Sequence, residues 1–308
     1  MPRPAAKTPK RRPQPAPEPE KVDPRWLLKA IAATIGAAVI CGYLALCLLF
    51  YQGQWQLVLH PIRTAVPPAS ISGAPYQLIH FGPDESAIPQ LTGWWIPAAA
   101  PARYANITLL FLPPGDGSLT NSIPTLAALH SLGINVFAFD YRGFGQSANS
   151  HPTQRKMAHD AESAWLYLTA SRDVPANHII PYGTGAGASL AASLAAAHSA
   201  IPALILDSPH TDLLDAARRD PRSSLLPVGL LFHEDFALTV PLQTLRTPKL
   251  LLSKTSGPPP AAYRTAANPK VTVEFAAPTE ALYTGAITRF LDQYVPGTQL
   301  VPAPAPAH

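Results

Sequence analysis

Cysteine is nearly absent from this sequence. The 308 residues contain two cysteines, Cys41 and Cys47, and both lie within one long apolar run. The rest of the chain therefore has no disulfide, no thiolate zinc site and no cysteine nucleophile. A surplus of positive charge is also missing from most of the chain, because residues 51–308 carry 15 Lys or Arg against 16 Asp or Glu. This balance disfavours nucleic-acid binding, which needs a basic surface.

The N-terminus differs from the rest in both charge and proline content. Residues 1–29 carry eight Lys or Arg and three Asp or Glu, and eight prolines fall within the first 24 residues. Proline at this density excludes a regular helix and a packed core. We predict a disordered basic tail over residues 1–25, and a second disordered tail, rich in Pro and Ala, over residues 296–308.

An uncharged stretch of 22 residues, Ala30–Tyr51, follows the basic tail. A helix of about 20 apolar residues spans the hydrocarbon core of a bilayer, and Trp26 and Tyr51 would lie at the two interfaces. We predict a single-pass anchor over residues 26–51 and a juxtamembrane linker over residues 52–75. Because the basic residues precede the helix, we expect a cytoplasmic N-terminus and an extracytoplasmic domain. A cleaved signal peptide is the alternative.

Short apolar runs alternate with helical patterns over residues 76–295. Continuous apolar runs are typical of parallel strands that are covered on both faces. Alternation of strands and helices predicts a doubly wound α/β domain with about eight mostly parallel strands and helices on both faces. We expect strands at residues 76–81, 91–96, 107–112, 134–139, 178–181, 203–206, 248–252 and 271–275. Helices are expected at residues 123–132, 154–170, 185–198 and 282–294, with an irregular piece at 213–217.

A glycine-rich turn joins the fifth predicted strand to a helix of small residues. Its frame, Gly183-Thr184-Gly185-Ala186-Gly187, has the strand–turn–helix context of the nucleophile elbow G-x-S-x-G. The central position of the frame is Gly185 and not serine. Glycine tolerates the strained backbone of such a turn but supplies no nucleophile.

Three further segments carry a family resemblance. The loop L-F-L-P-P-G-D-G-S-L over residues 110–119 resembles one that builds an oxyanion hole, the string D-Y-R-G-F-G-Q-S occupies residues 140–147, and D-S-P-H-T-D occupies residues 207–212. In this order they resemble single-pass, membrane-anchored serine hydrolases of the α/β-hydrolase superfamily, esterase- or peptidase-like. The resemblance spans about residues 53–294 and implies the α/β-hydrolase fold. It also implies that Asp140 and Arg142 hold the loop after the fourth strand.

The same resemblance implies where a catalytic triad would stand. The nucleophile position is Gly185, the acid position after the seventh strand is Gly257, and the histidine position before the last helix is Thr279. None of these residues can perform the triad chemistry. The oxyanion loop has Pro113-Pro114 where the family has His-Gly, and proline has no backbone N–H to donate. Asp116 would oppose the developing negative charge.

Other residues were considered as replacements for the triad. Ser189, Asp207 and His210 are the rescue candidates, although small-residue packing, helix capping and loop hydrogen bonding explain them more simply. We expect no metal site, including at His233, Glu234 and Asp235, and no cofactor. The remaining pocket is expected to be lined by residues that share the loops above the sheet: Gly115, Asp116, Ser118, Thr184, Ala186, His210, residues 255–257 and Thr279.

The sequence leaves three functional hypotheses. The first is a membrane-anchored pseudo-hydrolase that binds a small molecule or a protein partner. The second is an active hydrolase of ester or amide bonds that uses a displaced nucleophile such as Ser189. The third is an interaction domain whose pocket is filled by a leucine-rich segment such as residues 225–232.

Overall fold

The computed structural model describes residues 24–64, 66–99, 101–210, 213–221, 224–256 and 258–295. The chain divides into two compact units, Met1–Leu49 and Phe50–His308. The tail predicted over residues 296–308 and nearly all of the tail predicted over residues 1–25 fall outside the described residues, as does Gly257.

Helix α1 (Pro24–Gly53) has 30 residues, about 45 Å at 1.5 Å per residue. Among the described residues it is the one helix long and apolar enough to cross a membrane. Apolar side chains such as Ile35 and Val39 are about two-thirds exposed along it, at 59% and 65%. A helix that is apolar on all sides is suited to a lipid environment. The helix therefore suggests a membrane anchor, two residues longer at each end than predicted.

An eight-stranded sheet forms the centre of the second unit, within the described residues. The strands are β1 (Gln77–Pro83), β2 (Pro89–Ile96), β3 (Tyr104–Leu112), β4 (Ile134–Asp140), β5 (Ile179–Gly185), β6 (Leu204–Pro209), β7 (Lys249–Lys254) and β8 (Lys270–Phe275). Their spatial order is β1-β2-β4-β3-β5-β6-β7-β8, and β2 runs opposite to the other seven strands. This is the mixed, mostly parallel sheet that the sequence predicts.

Helices cover both faces of this sheet. They are α2 (Ile123–Ser131), α3 (Gln154–Leu166), α4 (Gly187–Ala197), α5 (Leu213–Arg219), α6 (Val228–Leu231), α7 (Thr239–Thr244), α8 (Ala261–Thr265) and α9 (Ala281–Tyr294). Alternate residues of β3 point to opposite faces, so Leu110 joins one buried cluster with α3 and α4, whereas Leu109 joins another with α2 and α9. Two buried layers therefore hold the strand ends in fixed positions.

The segment between α1 and β1 is packed against the domain. Leu59 and Ile71 are each 1% exposed, and both belong to the buried clusters. The backbone of residues 60–61 pairs in parallel with residues 116–117, which lie in the loop after β3. Apolar residues in a region that composition assigns to a linker explain this packing, because they are removed from water against the sheet. The compact unit accordingly begins at residue 50 and not at residue 76.

Candidate functional site

The turn between β5 and α4 has the backbone of a nucleophile elbow. Gly185 has φ +55°, the left-handed region that glycine adopts without steric cost. The flanking glycines allow close packing, since a Cβ on Gly183 would lie 2.3 Å from the Gly187 carbonyl oxygen. Strand β5 extends to Gly185 and the helix starts at Gly187, so the turn is tighter than the predicted boundaries of 178–181 and 185–198.

The loop after β3 closes over this turn. A Cβ built on Gly185 would lie 2.6 Å from the Cβ of Pro114 and 2.9 Å from its carbonyl oxygen. The backbone N–H of Ala186, which follows the nucleophile position, donates to that same Pro114 carbonyl at 3.0 Å. In the hydrolase family this N–H is an oxyanion-hole donor. Here it is satisfied inside the protein, at a residue that is fully buried.

Asp116 connects two histidines at this edge of the sheet. Its Oδ1 lies 2.7 Å from Nδ1 of His60, and its Oδ2 lies 3.4 Å from Nε2 of His210. The pKa of Asp116 is lowered, first by the hydrogen bond with His210. Burial opposes this shift, and the contact with His60 lowers the pKa further. Asp116 and His210 were both expected in the pocket and do lie together. His60, 56 residues away in the chain, had no sequence signal that marked it.

Asp207, a candidate replacement for a triad residue, is hydrogen-bonded to a tyrosine and not to a histidine among the described residues. Its Oδ2 accepts a hydrogen bond from the Tyr182 hydroxyl at 2.5 Å, and that hydroxyl lies 2.7 Å from the Tyr283 hydroxyl. Burial raises the pKa of Asp207, and the hydrogen bond from Tyr182 acts in the opposite direction. The carboxyl group is therefore held by the buried Tyr182, which in turn contacts the buried Tyr283. Neither tyrosine was marked by the sequence. The Asp207 carboxyl group does not orient a histidine among the described residues.

The residue after Asp207 has an unusual backbone. Ser208 has φ +43°, and the pairing between β5 and β6 shifts register at this point, as expected for a bulge. Its Oγ, which interacts with Asp207, and the Nδ1 of His210 are both buried, and no hydrogen bond joins these two atoms. A serine–histidine pair of the kind that activates a nucleophile is not formed by them in this conformation.

The remaining predicted residues have structural surroundings. Ser118 is 5% exposed and makes hydroxyl contacts with Thr64 at 2.9 Å and Thr120 at 2.6 Å. Ser189 is buried in α4, and Thr184 is half-buried and paired opposite Asp207. Gly115 is buried with φ +84°, and its carbonyl accepts the His60 N–H.

Thr279, the histidine position implied by the resemblance, is exposed in the turn before α9. Gly257, the acid position, lies outside the described residues. His233 Nε2 lies 3.6 Å from Glu234 Oε1. Within the described part of the chain no group of three His, Cys, Asp or Glu residues is placed to hold a metal ion.

The turn after β4 keeps its polar groups paired. Asp140 is 5% exposed and accepts the Leu119 N–H at 2.9 Å, and burial raises its pKa to about 6 against the backbone hydrogen bonds. Ser147 accepts the Thr92 N–H at 2.9 Å and donates to the Asp140 carbonyl at 2.5 Å. Arg142 Nε contacts Asp160 Oδ1 at 2.6 Å. These bonds agree with the holding role that the resemblance implies for Asp140 and Arg142.

The chain matches a known protein family over more than half of its length. The match covers residues 118–278, and the family is described as serine aminopeptidase, S33 (Hydrolase_4). The chain belongs to this family. Its α/β-hydrolase fold is confirmed by the esterase Pf2001 of Pyrococcus furiosus, which superposes with a TM-score of 0.58 and 18% identity over 77% of this chain and 98% of that one.

Curated relatives add two more likenesses. The uncharacterized protein Rv2307c of Mycobacterium tuberculosis is 30% identical over 190 residues, 60% of this chain and 62% of the relative. The lysophosphatidylserine lipase ABHD12 of Gallus gallus is 33% identical over 133 residues, 42% of this chain and 34% of the relative. The chain therefore spans about three-fifths of the length of the first relative and about a third of the second.

Proposed function

We propose that this chain is a membrane-tethered pseudo-hydrolase that binds a ligand or a protein partner and does not perform serine catalysis at its elbow. The observation that carries the proposal is the turn at Gly185. The elbow backbone is present, but its central residue has no side chain, and the adjacent Ala186 N–H is already bonded to Pro114. Removing one oxyanion donor from a working hydrolase costs about 2.7–4 kcal/mol of barrier, before loss of the nucleophile is counted.

The implied histidine position and the rescue candidate Asp207 support the same conclusion. Thr279 cannot shuttle a proton, and the buried Asp207 is held by Tyr182. Asp116, with His210 and His60, supplies the histidine–carboxylate contacts described at this edge of the sheet. A histidine–carboxylate pair beside a closed elbow is suited to hydrogen bonding with a polar group of a ligand.

The ligand class follows from the proposed tether. An apolar N-terminal helix supports attachment to a membrane, and the basic residues before it favour a cytoplasmic N-terminus with the domain outside. The similarity to the chicken protein described as a lysophosphatidylserine lipase supports an amphiphilic ligand. We therefore infer a membrane amphiphile in preference to a water-soluble metabolite.

A second function is favoured by one observation, the neighbouring Ser208, His210 and Asp116. If the His210 ring turned to contact Ser208 Oγ, the three would form a displaced serine–histidine–aspartate set. Such a protein would be an active hydrolase of ester or amide bonds. The strained backbone at Ser208 is compatible with this, since strain concentrates at functional sites.

Activity-based labelling separates the two functions. The full chain in detergent would be treated with an alkyl fluorophosphonate, beside Ser208→Ala and Ser189→Ala variants and an active serine hydrolase as positive control. We expect no labelling of this chain, together with a rise in melting temperature on addition of lysophosphatidylserine, because a ligand that binds the folded state stabilises it. Labelling that disappears in Ser208→Ala would establish the displaced nucleophile and overturn the proposal.

A further inference from the structure

An apolar stretch of nine residues, 224–232, lies in the connection between β6 and β7. Its sequence, S-L-L-P-V-G-L-L-F, contains no charged residue. Leu225 is 77% exposed and Leu230 is 84% exposed, the two largest values among the large apolar side chains described for residues 50–295. Val228, between them, is 5% exposed and fixes the stretch to the domain. Two highly exposed leucines within one short, uncharged stretch make this stretch a candidate for contact with something apolar.

The stretch is bonded directly to the residue that follows α1. Gln54 is 2% exposed, its Nε2 donates to the Leu231 carbonyl at 3.0 Å, and its Oε1 accepts the His233 N–H at 2.7 Å. The Tyr51 ring, within the last turn of α1, lies 4.4 Å from the His233 ring. These contacts all belong to the compact unit that starts at residue 50. The stretch is therefore tied to the same short piece of chain that leaves the apolar helix.

We propose that residues 224–232 insert Leu225 and Leu230 into the interface of the bilayer that holds α1. The inference rests on the proposed membrane tether and adds a second membrane contact to it. Residues of an interfacial element enter about 5–10 Å into the boundary between headgroups and acyl chains. The connection that carries this stretch starts at the end of β6, next in sequence to His210.

Site-directed fluorescence tests this contact in the full chain. Cys41 and Cys47 would be replaced by alanine, and a nitrobenzoxadiazole label attached in separate proteins to Leu225→Cys, Leu230→Cys and the control Ile88→Cys. Ile88 is an apolar residue, 58% exposed, beside the turn that joins β1 and β2. The proteins would be reconstituted in uncharged phosphatidylcholine vesicles with or without a spin-labelled lipid quencher. Vesicle flotation first reports whether the chain is tethered at all.

We expect quenching of labels at positions 225 and 230 to be at least about threefold stronger than quenching at position 88. A lipid with its spin label near the headgroup should quench these labels more effectively than a lipid with its spin label deep in the acyl chain. Quenching of a label at Ser224→Cys should fall to the Ile88 level when Leu225 and Leu230 are both changed to serine. Equal, weak quenching at all positions in floating protein would overturn the contact and leave the tether standing.

Two other results are informative. An apolar label environment that depends on protein density and not on quencher lipid would assign the stretch to a second copy of the chain, against the proposal. Failure of the protein to float with the vesicles would overturn the tether itself, and with it the membrane contact. Fluorophosphonate labelling, measured separately, reports on catalysis alone, so the failures can be distinguished.

Discussion

Two turns at the carboxyl ends of parallel strands in this sheet, after β4 and after β5, differ in the side chains that they carry. The turn after β4 has both the family's residues and their bonds: Asp140 holds a backbone N–H of the loop after β3, and Ser147 bridges β2 and β4. The elbow after β5 has the backbone shape, with Gly185 at φ +55°, but no catalytic side chain. The glycine-rich elbow backbone and the side chain at its centre are therefore specified by different features of the sequence, and the proposed function is that this backbone is kept without serine catalysis.

The largest effect is expected at the flank of the elbow. Gly183→Ala would place a Cβ 2.3 Å from the Gly187 carbonyl oxygen and 2.7 Å from the Ala188 Cα. Both contacts are with backbone, which cannot turn aside, so we expect a loss of about 4–5 kcal/mol in the free energy of unfolding, or no folded protein. Gly285→Ala is the matched control, because a Cβ there meets nothing closer than 3.9 Å and helices favour alanine. Urea unfolding of both variants measures the difference, and equal stability would show that the elbow no longer needs its close packing.

The second prediction concerns restoration of the nucleophile. Gly185→Ser should not create an enzyme, because the new Cβ would lie 2.6 Å from Pro114 and the residue would need φ +55°. The left-handed backbone costs about 1–2 kcal/mol and the overpacking about 1–3 kcal/mol, so stability should fall by roughly 2–5 kcal/mol. Urea unfolding measures this fall, and fluorophosphonate labelling of the variant should remain absent. Pro114→Gly added to Gly185→Ser should recover part of the stability. A stable, labelled single variant would mean that the site is intact apart from one side chain.

The turn after β4 gives a pH-dependent prediction. The folded pKa of Asp140 is about 6, above its ordinary value of 3.8, so the folded protein keeps a proton that the unfolded chain releases. The free energy of unfolding should therefore decrease between about pH 4 and pH 6 and then become constant. At 1.36 kcal/mol per pKa unit, the total decrease due to Asp140 is about 3 kcal/mol.

Asp140→Asn removes this titration, and comparison with the unchanged protein cancels the other carboxyl groups. Urea unfolding at half-unit pH steps should show this decrease in the free energy of unfolding in the unchanged protein and not in Asp140→Asn. Asp84→Asn, at an exposed turn carboxylate, is the control that should keep the decrease. A parallel pH profile for Asp140→Asn would show that Asp140 is ionised as easily in the folded chain as in the unfolded one.

The elbow was predictable from sequence, and its closure was not. Three glycines in a strand–turn–helix context predict close backbone packing, because a Cβ at these positions has no room. The bond from Ala186 to Pro114 joins loops that are 72 residues apart in the chain. The sequence shows that Pro114 has no N–H group. It does not show that the Pro114 carbonyl group points at the Ala186 N–H.

The contacts around the site show the same limit. Tyr182 and Tyr283 are 101 residues apart, and His60 and Asp116 are 56 residues apart. Periodicity marks such residues as buried or exposed but does not pair them. The sequence therefore predicted the fold, and the loss of the triad stays a prediction. The network around Asp207 and the packing of residues 54–74 could be described only from the structure.

The smallest effect is expected at Ser189, a serine that the sequence offers as a shifted nucleophile just after the elbow. It lies in the first turn of α4 and is 3% exposed, among small residues packed against β5. Ser189→Ala removes a hydroxyl from a helix in which alanine is the better former, so stability should change by less than about 0.5 kcal/mol. Ester turnover and fluorophosphonate labelling should both stay at background before and after the change. If the unchanged protein hydrolysed an ester and Ser189→Ala abolished this activity without unfolding the protein, Ser189 would be the nucleophile. The proposal that this chain performs no serine catalysis at its elbow would then be wrong.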